Sequence, residues 1–227
     1  MATTELHHYE NVTEYSVNES KHFDMKLGVA KKIVIWGDDE ERIRIALLSD
    51  TRSNHKDDLK VKFDDIKSRL DVDIKRQKGM TEDIAKEEVT IFVRLPQKYV
   101  GKVELAATAE TVEVHHLNCE SIELDIKAQN VVLGEEIAGA VEINCNLDMD
   151  VVCRSLESDL SINQVSADSK LSIPAGTVFT AVTKGIGTSI FYEKDGKPTE
   201  AFDSADADNT IELNGMKSKL VICSIED

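Results

Sequence analysis

From residue 103 onward the chain repeats itself. Apolar pairs spaced i, i+2 recur as Val103/Leu105, Val112/Val114, Ile122/Leu124, Val131/Leu133, Val141/Ile143, Val151/Cys153, Leu160/Ile162 and Leu171/Ile173. Their first members are separated by 9, 10, 9, 10, 10, 9 and 11 residues. Alternation at period two marks a half-buried strand. Eight such units cannot bury their apolar sides singly, whereas stacked units share one core. A further apolar residue often falls midway, at Leu117, Ile137, Leu147, Leu156 and Val165. Short strands returning every ~10 residues predict an all-β chain, a narrow β-solenoid or a flattened two-sheet β-roll, with about 20 residues per coil if one unit forms one face. An antiparallel meander also repeats at roughly 8–12 residues. Against it, no Asn-Gly or Asp-Gly hairpin turn occurs between residues 103 and 173. The solenoid is the favoured reading.

The flanks read as strands too. Residues 1–20 are polar with scattered apolar positions, a tail or one edge strand, and residues 21–227 form a single β-repeat domain. Within it, 21–100 predicts antiparallel strands, 101–176 the repeat, and 177–227 closing strands. Phe23, Met25 and Leu27 alternate, and Ile33-Val34-Ile35 runs into the turn signal Trp36-Gly37-Asp38-Asp39. Ile43, Ile45 and Leu47 alternate after it, so this pair predicts a hairpin. Leu59-Val61-Phe63 and Leu70-Val72-Ile74 predict a second. Residues 75–88 are charged and loop-like with a helical turn, and Val89 to Leu95 is another strand, closed by Pro96. The repeat exits at Ile173-Pro174-Ala175-Gly176. Two closing strands, 210–213 and 220–225, are joined through Asn214-Gly215.

Composition agrees and narrows the partners. Val and Ile number 40 against 17 Leu among 227 residues, which favours strand over helix. Net charge is −16, which disfavours a nucleic-acid or anionic-membrane partner, since phosphate binding needs clustered Lys and Arg. No run approaches the ~20 apolar residues of a membrane helix. The first residues lack the basic and apolar regions of a signal peptide. Four cysteines are too few and too scattered for a disulfide framework. On these features alone a reduced, cytoplasmic chain is expected.

The layout resembles the bacterial putative-adhesin family of β-strand-repeat domains, classed as a domain of unknown function. The resemblance runs from Lys21 to the C-terminus and rests on four features. These are the opening strand Lys32-Ile33-Val34-Ile35-Trp36-Gly37-Asp38-Asp39, the strand 89–95 ending in Pro96, the ten-residue repeats, and the exit Leu171-Ser172-Ile173-Pro174-Ala175-Gly176. The family usually turns on Gly-Asp-Ile; here Leu147-Asp148-Met149-Asp150 and Ser158-Asp159-Leu160 stand in those places. The resemblance implies a cell-surface role and brings no catalytic motif.

Chemistry-bearing clusters are sparse. His115-His116-x-x-Cys119 has the residue types of a zinc site, with Cys145 within possible reach on a neighbouring coil. Zinc needs three or four converging ligands, however, and adjacent strand residues point to opposite faces. Turn and surface roles are the expectation. Cys153 occupies an inward slot and reads as a small core residue. Lys184-Gly185-Ile186-Gly187-Thr188 lacks the third glycine of a dinucleotide loop and reads as a turn. Asp148-Met149-Asp150 lacks the flanking pattern of a calcium loop. No metal and no cofactor are expected.

Residues between the apolar pairs should face outward. If units alternate between two faces, one carries Glu104, Glu123, Glu142 and Ser161, and the other Glu113, Val132, Val152 and Ser172. Between residues 108 and 192 there are 13 acidic and 4 basic side chains, so partners for the acidic column are scarce. The expected function is non-enzymatic, an adhesin-like binding or scaffold module for another protein or a surface polymer. Its expected binding surface is Glu104, Glu123, Glu142, Val132 and Val152. One alternative is an intracellular structural or regulatory module in envelope sensing. Another is a carbohydrate-active β-solenoid enzyme, against which stand the four Tyr and one Trp available to stack on sugars.

Overall fold

The computed structural model describes residues 9–49, 58–194, 196–199 and 207–225. The first eight residues of the expected tail and most of the polar stretch before residue 210 lie outside them. The chain is all-β, in two large mixed sheets.

Its first strands are β1 (Tyr9–Ser16), β2 (Lys21–Val29), β3 (Lys32–Asp38), β4 (Arg42–Ser49), β5 (Leu59–Ile66) and β6 (Arg69–Arg76). A short helix, α1 (Glu82–Glu88), is capped where the Thr81 hydroxyl accepts from the Ile84 amide, and β7 (Val89–Pro96) follows. β1 is an edge strand, antiparallel to β4 over eight residues. β5 and β6 form the second expected hairpin. The first expected hairpin does not form. β3 lies parallel between β7 and β9, and β4 pairs antiparallel with β7 instead. With both edges of β3 filled by parallel neighbours, the turn at Asp38–Asp39 has to carry the chain past β7. Nor is the 21–100 region uniformly antiparallel. β2 runs parallel to β6 and β8, so β2 and β3 already behave as units of the repeat.

The repeat itself is β8 (Val100–Thr108), β9 (Thr111–His115), β10 (Asn118–Lys127), β11 (Asn130–Leu133), β12 (Ala138–Asn144), β13 (Asp150–Cys153), β14 (Leu160–Val165) and β15 (Asp168–Pro174). Successive strands alternate between the two sheets, and from β8 to β13 each pairs in parallel with the strand two places on. In one sheet Val103 faces Ile122, Ile122 faces Val141, and Val141 faces Leu160. In the other, Val112, Val131, Val151 and Leu171 align likewise. All eight apolar pairs are buried in one core between the sheets. Each such aliphatic side chain contributes about 1.5–3 kcal/mol. Leu117 and Ile137 join them at the corners, whereas Leu147 and Val165 are exposed. A polar residue also takes an inward slot. Gln164 donates to the carbonyls of Ala167 (2.8 Å) and Lys219 (3.2 Å) and accepts from the Ser169 hydroxyl (2.7 Å), so its amide is satisfied.

The C-terminal strands are β16 (Thr180–Ile186), β17 (Ser189–Lys194), β18 (Lys197–Thr199), β19 (Thr210–Met216) and β20 (Lys219–Ile225). The last two do not close the stack. β19 and β20 insert beside β14 and β15, with β16 and β17 outside them. Asn214-Gly215 is not their link but lies inside β19. A Cβ on Gly215 would stand 1.8 Å from the Gln164 carbonyl oxygen, so glycine is required for the close approach of the two strands. The chain turns instead at Lys217, which is left-handed (φ 52°). Ser166 and Gly187 are left-handed (φ 55° and 68°) at the equivalent corners, and His116 and Glu136 (φ 50° and 56°) at the opposite corners. Non-glycine residues therefore make four of these five corners, at a cost of roughly 1–2 kcal/mol each. This is why glycine-based turn signals are scarce in the sequence.

Candidate functional site

The outward columns follow from the register. On the sheet containing β8, β10 and β12, Asp71, Asp24, Glu104, Glu123 and Glu142 stand opposite one another on β6, β2, β8, β10 and β12. Ser161 and Glu212 continue the line on β14 and β19. Strands are about 4.8 Å apart, so the five consecutive carboxylates repel one another unless they find partners. Basic neighbours stand beside some of them. Arg69 Nε lies 2.6 Å from Asp71, His22 Nε2 3.1 Å from Glu104, and Lys184 Nζ 2.5 Å from Glu212. The hydrogen bond from Lys184 holds the Glu212 carboxyl below its ordinary pKa. In the middle the sign reverses. Burial, then Asp125, Glu142 and Glu104, push the Glu123 carboxyl up, with His22 opposing.

A second column supports the first, and the sequence reading missed it. Asp125, Asn144, Asn163 and Asn214 stand in register two residues beyond Glu123, Glu142, Ser161 and Glu212. Asn163 Nδ2 donates to Glu142 (2.6 Å) and to Asn144 Oδ1 (2.6 Å). Asn144 Nδ2 donates to Asp125 (2.7 Å) and Glu123 (3.3 Å), and Asn214 Nδ2 to Glu212 (2.6 Å) and Asn163 Oδ1 (2.9 Å). Each amide thus bridges along its own column and across to the acidic one. The signal was available as Glu123-Leu124-Asp125, Glu142-Ile143-Asn144, Ser161-Ile162-Asn163 and Glu212-Leu213-Asn214.

Beyond these columns an open groove of about 980 Å³ crosses β2, β8, β10, β12, β14 and β19. Gly28, Ala106, Ala107 and Thr108 form its low end between Lys26 and Lys127; Asn144, Asn163 and Asn214 form one side, and Leu147 and Val165 the other.

Val132 and Val152 are not brought to this surface. They stand side by side on β11 and β13 of the other sheet, in line with Val34, Glu113 and Ser172. Glu113 is held by Lys32 Nζ at 2.8 Å. The expected binding residues therefore divide between two opposite faces.

His115 and His116 do not point to opposite faces. β9 ends at His115, and the left-handed His116 swings its ring back, so both pack on Trp36 with centroids at 5.2 and 4.4 Å. Their nitrogens meet Glu113 (3.4 Å) and Glu136 (2.7 Å). Cys119 Sγ donates to the Ser121 carbonyl, and burial raises its thiol to about 11. Cys153 is likewise buried and raised to about 11, while Cys145 and Cys223 are buried. Asp148 accepts from the Asp168 amide at 2.8 Å. Among the described residues, no three His, Cys, Asp or Glu side chains gather as metal ligands would. Lys184 to Ile186 belong to β16 and Gly187 to the turn after it. No helix among the described residues is long and apolar enough to cross a membrane.

No family model and no curated protein matches the chain. Solved structures do. A putative cell adhesion protein from Clostridium sporogenes is 13% identical, with a TM-score of 0.47 over 96% of this chain and 100% of that one. A putative adhesin from Bacteroides fragilis is 12% identical, with a TM-score of 0.41 over 96% and 97%. A putative lipid binding protein from Parabacteroides distasonis is 8% identical, with a TM-score of 0.45 over the same shares.

Proposed function

We propose that the chain is a non-enzymatic, adhesin-like module at a cell surface, which binds another protein or a surface polymer through its outward columns. In this reading residues 21–227 are one β-repeat unit, a narrow β-solenoid or two-sheet roll of about 20 residues per coil, and β1 is its edge strand. The observation that carries it is the acidic column at strand spacing, where burial and then the neighbouring carboxylates hold Glu123 above its ordinary pKa. A regular surface of this kind suits an extended, donor-rich or cationic partner. The thiols support a non-catalytic reading, because Cys153 is buried, Cys119 is half-buried and both pKa values are raised, the reverse of what a nucleophile needs.

The test is capture of a partner by the immobilised protein. Glu123→Gln with Glu142→Gln should release a partner of the acidic face, and Val132→Lys one of the opposite face. Metal analysis and a panel of polysaccharide lyase and hydrolase substrates run alongside. Turnover abolished by Glu123→Gln, or a stoichiometric metal lost on His115→Ala, would overturn the reading.

A further inference from the structure

Four of the exposed large apolar side chains lie together beside the groove. Leu147 and Val165 (43% exposed each) line it; Met216 (46%) is in register with Val165, and Ile186 (79%) with Met216. The corners explain their exposure. Ser166, Lys217 and Gly187 are left-handed immediately after Val165, Met216 and Ile186, so the chain turns away and leaves these side chains outside the core. The result is a continuous aliphatic strip along one side of the stack.

The opposite end of the groove has different chemistry. Lys26 on β2 and Lys127 on β10 flank β8, whose Ala106, Ala107 and Thr108 leave a low floor between them. Both lysines are exposed, and the nearest carboxylate to Lys26 Nζ is Asp24 at 3.9 Å. Asp125 is the acidic residue lining the groove, and its carboxylate already accepts from Asn144. From β2 to β19 the groove crosses five strand spacings of about 4.8 Å, or about 24 Å in all. A charged end, an aliphatic end and a long open trough make an amphiphile's footprint.

We propose that this groove binds a single-chain anionic amphiphile, a long-chain fatty acid in its simplest form. The carboxylate lies between Lys26 and Lys127 and the acyl chain runs past Leu147 and Val165 toward Met216 and Ile186. The site shares a sheet with the acidic column but none of the column's glutamates line it, so it stands apart from the partner reading above.

The experiment is displacement of a fluorescent fatty-acid probe from the full chain by oleate, by oleyl alcohol and by a long-chain trimethylammonium amphiphile. Oleate should displace best. Leu147→Asp with Val165→Asp should weaken it by at least about tenfold, since buried methylenes carry the affinity. Lys26→Glu with Lys127→Glu should weaken oleate about three- to tenfold and leave the alcohol unchanged, as loss of exposed charge contacts does. Asp125→Asn should tighten oleate. All five positions except Val165 and Leu147 carry polar side chains at the surface, and circular dichroism checks the fold of each variant. Val132→Lys, on the other sheet, should bind oleate as the parent does, whatever it does to a protein partner. Failure of oleate to displace the probe overturns the proposal, as does equal or better displacement by the cationic amphiphile. Binding confined to anionic phospholipid vesicles overturns it in favour of a membrane surface. A variant Glu123→Gln, Glu142→Gln that loses a captured protein yet retains oleate separates the two readings.

Discussion

Glu123 offers the sharpest test of the register. It faces Glu104 on one side and Glu142 on the other, with Asp125 two residues on. Like charges directly opposite destabilise a sheet by about 0.2–1 kcal/mol per pair. Glu123→Gln removes two such pairs. It keeps an acceptor for the Asn144 amide, which now donates to Glu123 Oε1 at 3.3 Å. Partial exposure screens the charges, so the net gain at neutral pH should be about 0.5–1 kcal/mol. The pH dependence follows from the direction of the shift. Because the folded carboxyl is raised above its unfolded value, its stabilising contribution is present below the unfolded pKa and is lost as pH rises through the folded one. The parent should therefore gain on the variant as pH falls from 7 toward 4. Glu212, lowered by Lys184, behaves in the opposite sense: its contribution is present above the unfolded pKa and disappears as pH falls through the folded one. Urea titrations at pH 7, 5.5 and 4 compare Glu123→Gln and Glu212→Gln with the parent. A Glu123→Gln protein less stable than the parent by more than about 1 kcal/mol at pH 7, or a difference independent of pH, would refute the column.

Inward positions should respond in the other direction. Ile143→Asp places a carboxylate in a slot with no exposure and should cost about 3–5 kcal/mol in the same titration; a cost under about 1 kcal/mol would mean the inward and outward slots are exchanged. Gly215→Ala drives a Cβ against the Gln164 carbonyl and should cost about 1–3 kcal/mol, read as a lower melting temperature, whereas Gly176→Ala, with open space around it, should cost less. Trp36 emission should change more on His116→Gln than on His115→Gln, because the His116 ring is the nearer of the two to the indole; equal changes would mean the two rings do not pack as described. Millimolar calcium should shift melting only slightly, as screening of exposed carboxylates does; a saturable rise of many degrees would reveal a site.

The repeat was legible because burial imposes a strict period on short strands. Val103/Leu105 through Leu171/Ile173 could be placed inward from alternation alone, and Glu104, Glu123 and Glu142 then fell into one line by subtraction. Strand order was not legible. Nothing local in Ile33–Ile35 or Ile43–Leu47 records that β7, some forty residues later, comes between them; that depends on which edges remain open once β9 has paired with β3. The insertion of β19 and β20 was hidden for the same reason, and Asn214-Gly215 misled because its glycine answers a close backbone approach rather than a turn. The groove was hidden further still. Val165 falls midway between apolar pairs as Leu117 and Ile137 do, but the left-handed residue after it turns the chain early and leaves it outside the core. A left-handed serine or lysine leaves no mark in a sequence that a glycine would have left.

Why the acidic column and the asparagine column occur together follows from hydrogen-bond arithmetic. An asparagine amide has two N–H donors, and at Asn144 and Asn163 one goes along the asparagine column and the other to a glutamate. The donors are thus spent within the protein, and what faces outward along Glu123 and Glu142 is almost wholly acceptor. Such a face repels a second copy of itself and protects a long stack of strands from sheet-on-sheet association. The opposite sheet, where half-buried Val132 and Val152 stand in line between Glu113 and Ser172, has no such run of carboxylates along that line. The two faces therefore carry separable chemistries on one core. A substitution on either leaves the buried pairs untouched, and each face serves as the internal control for binding at the other.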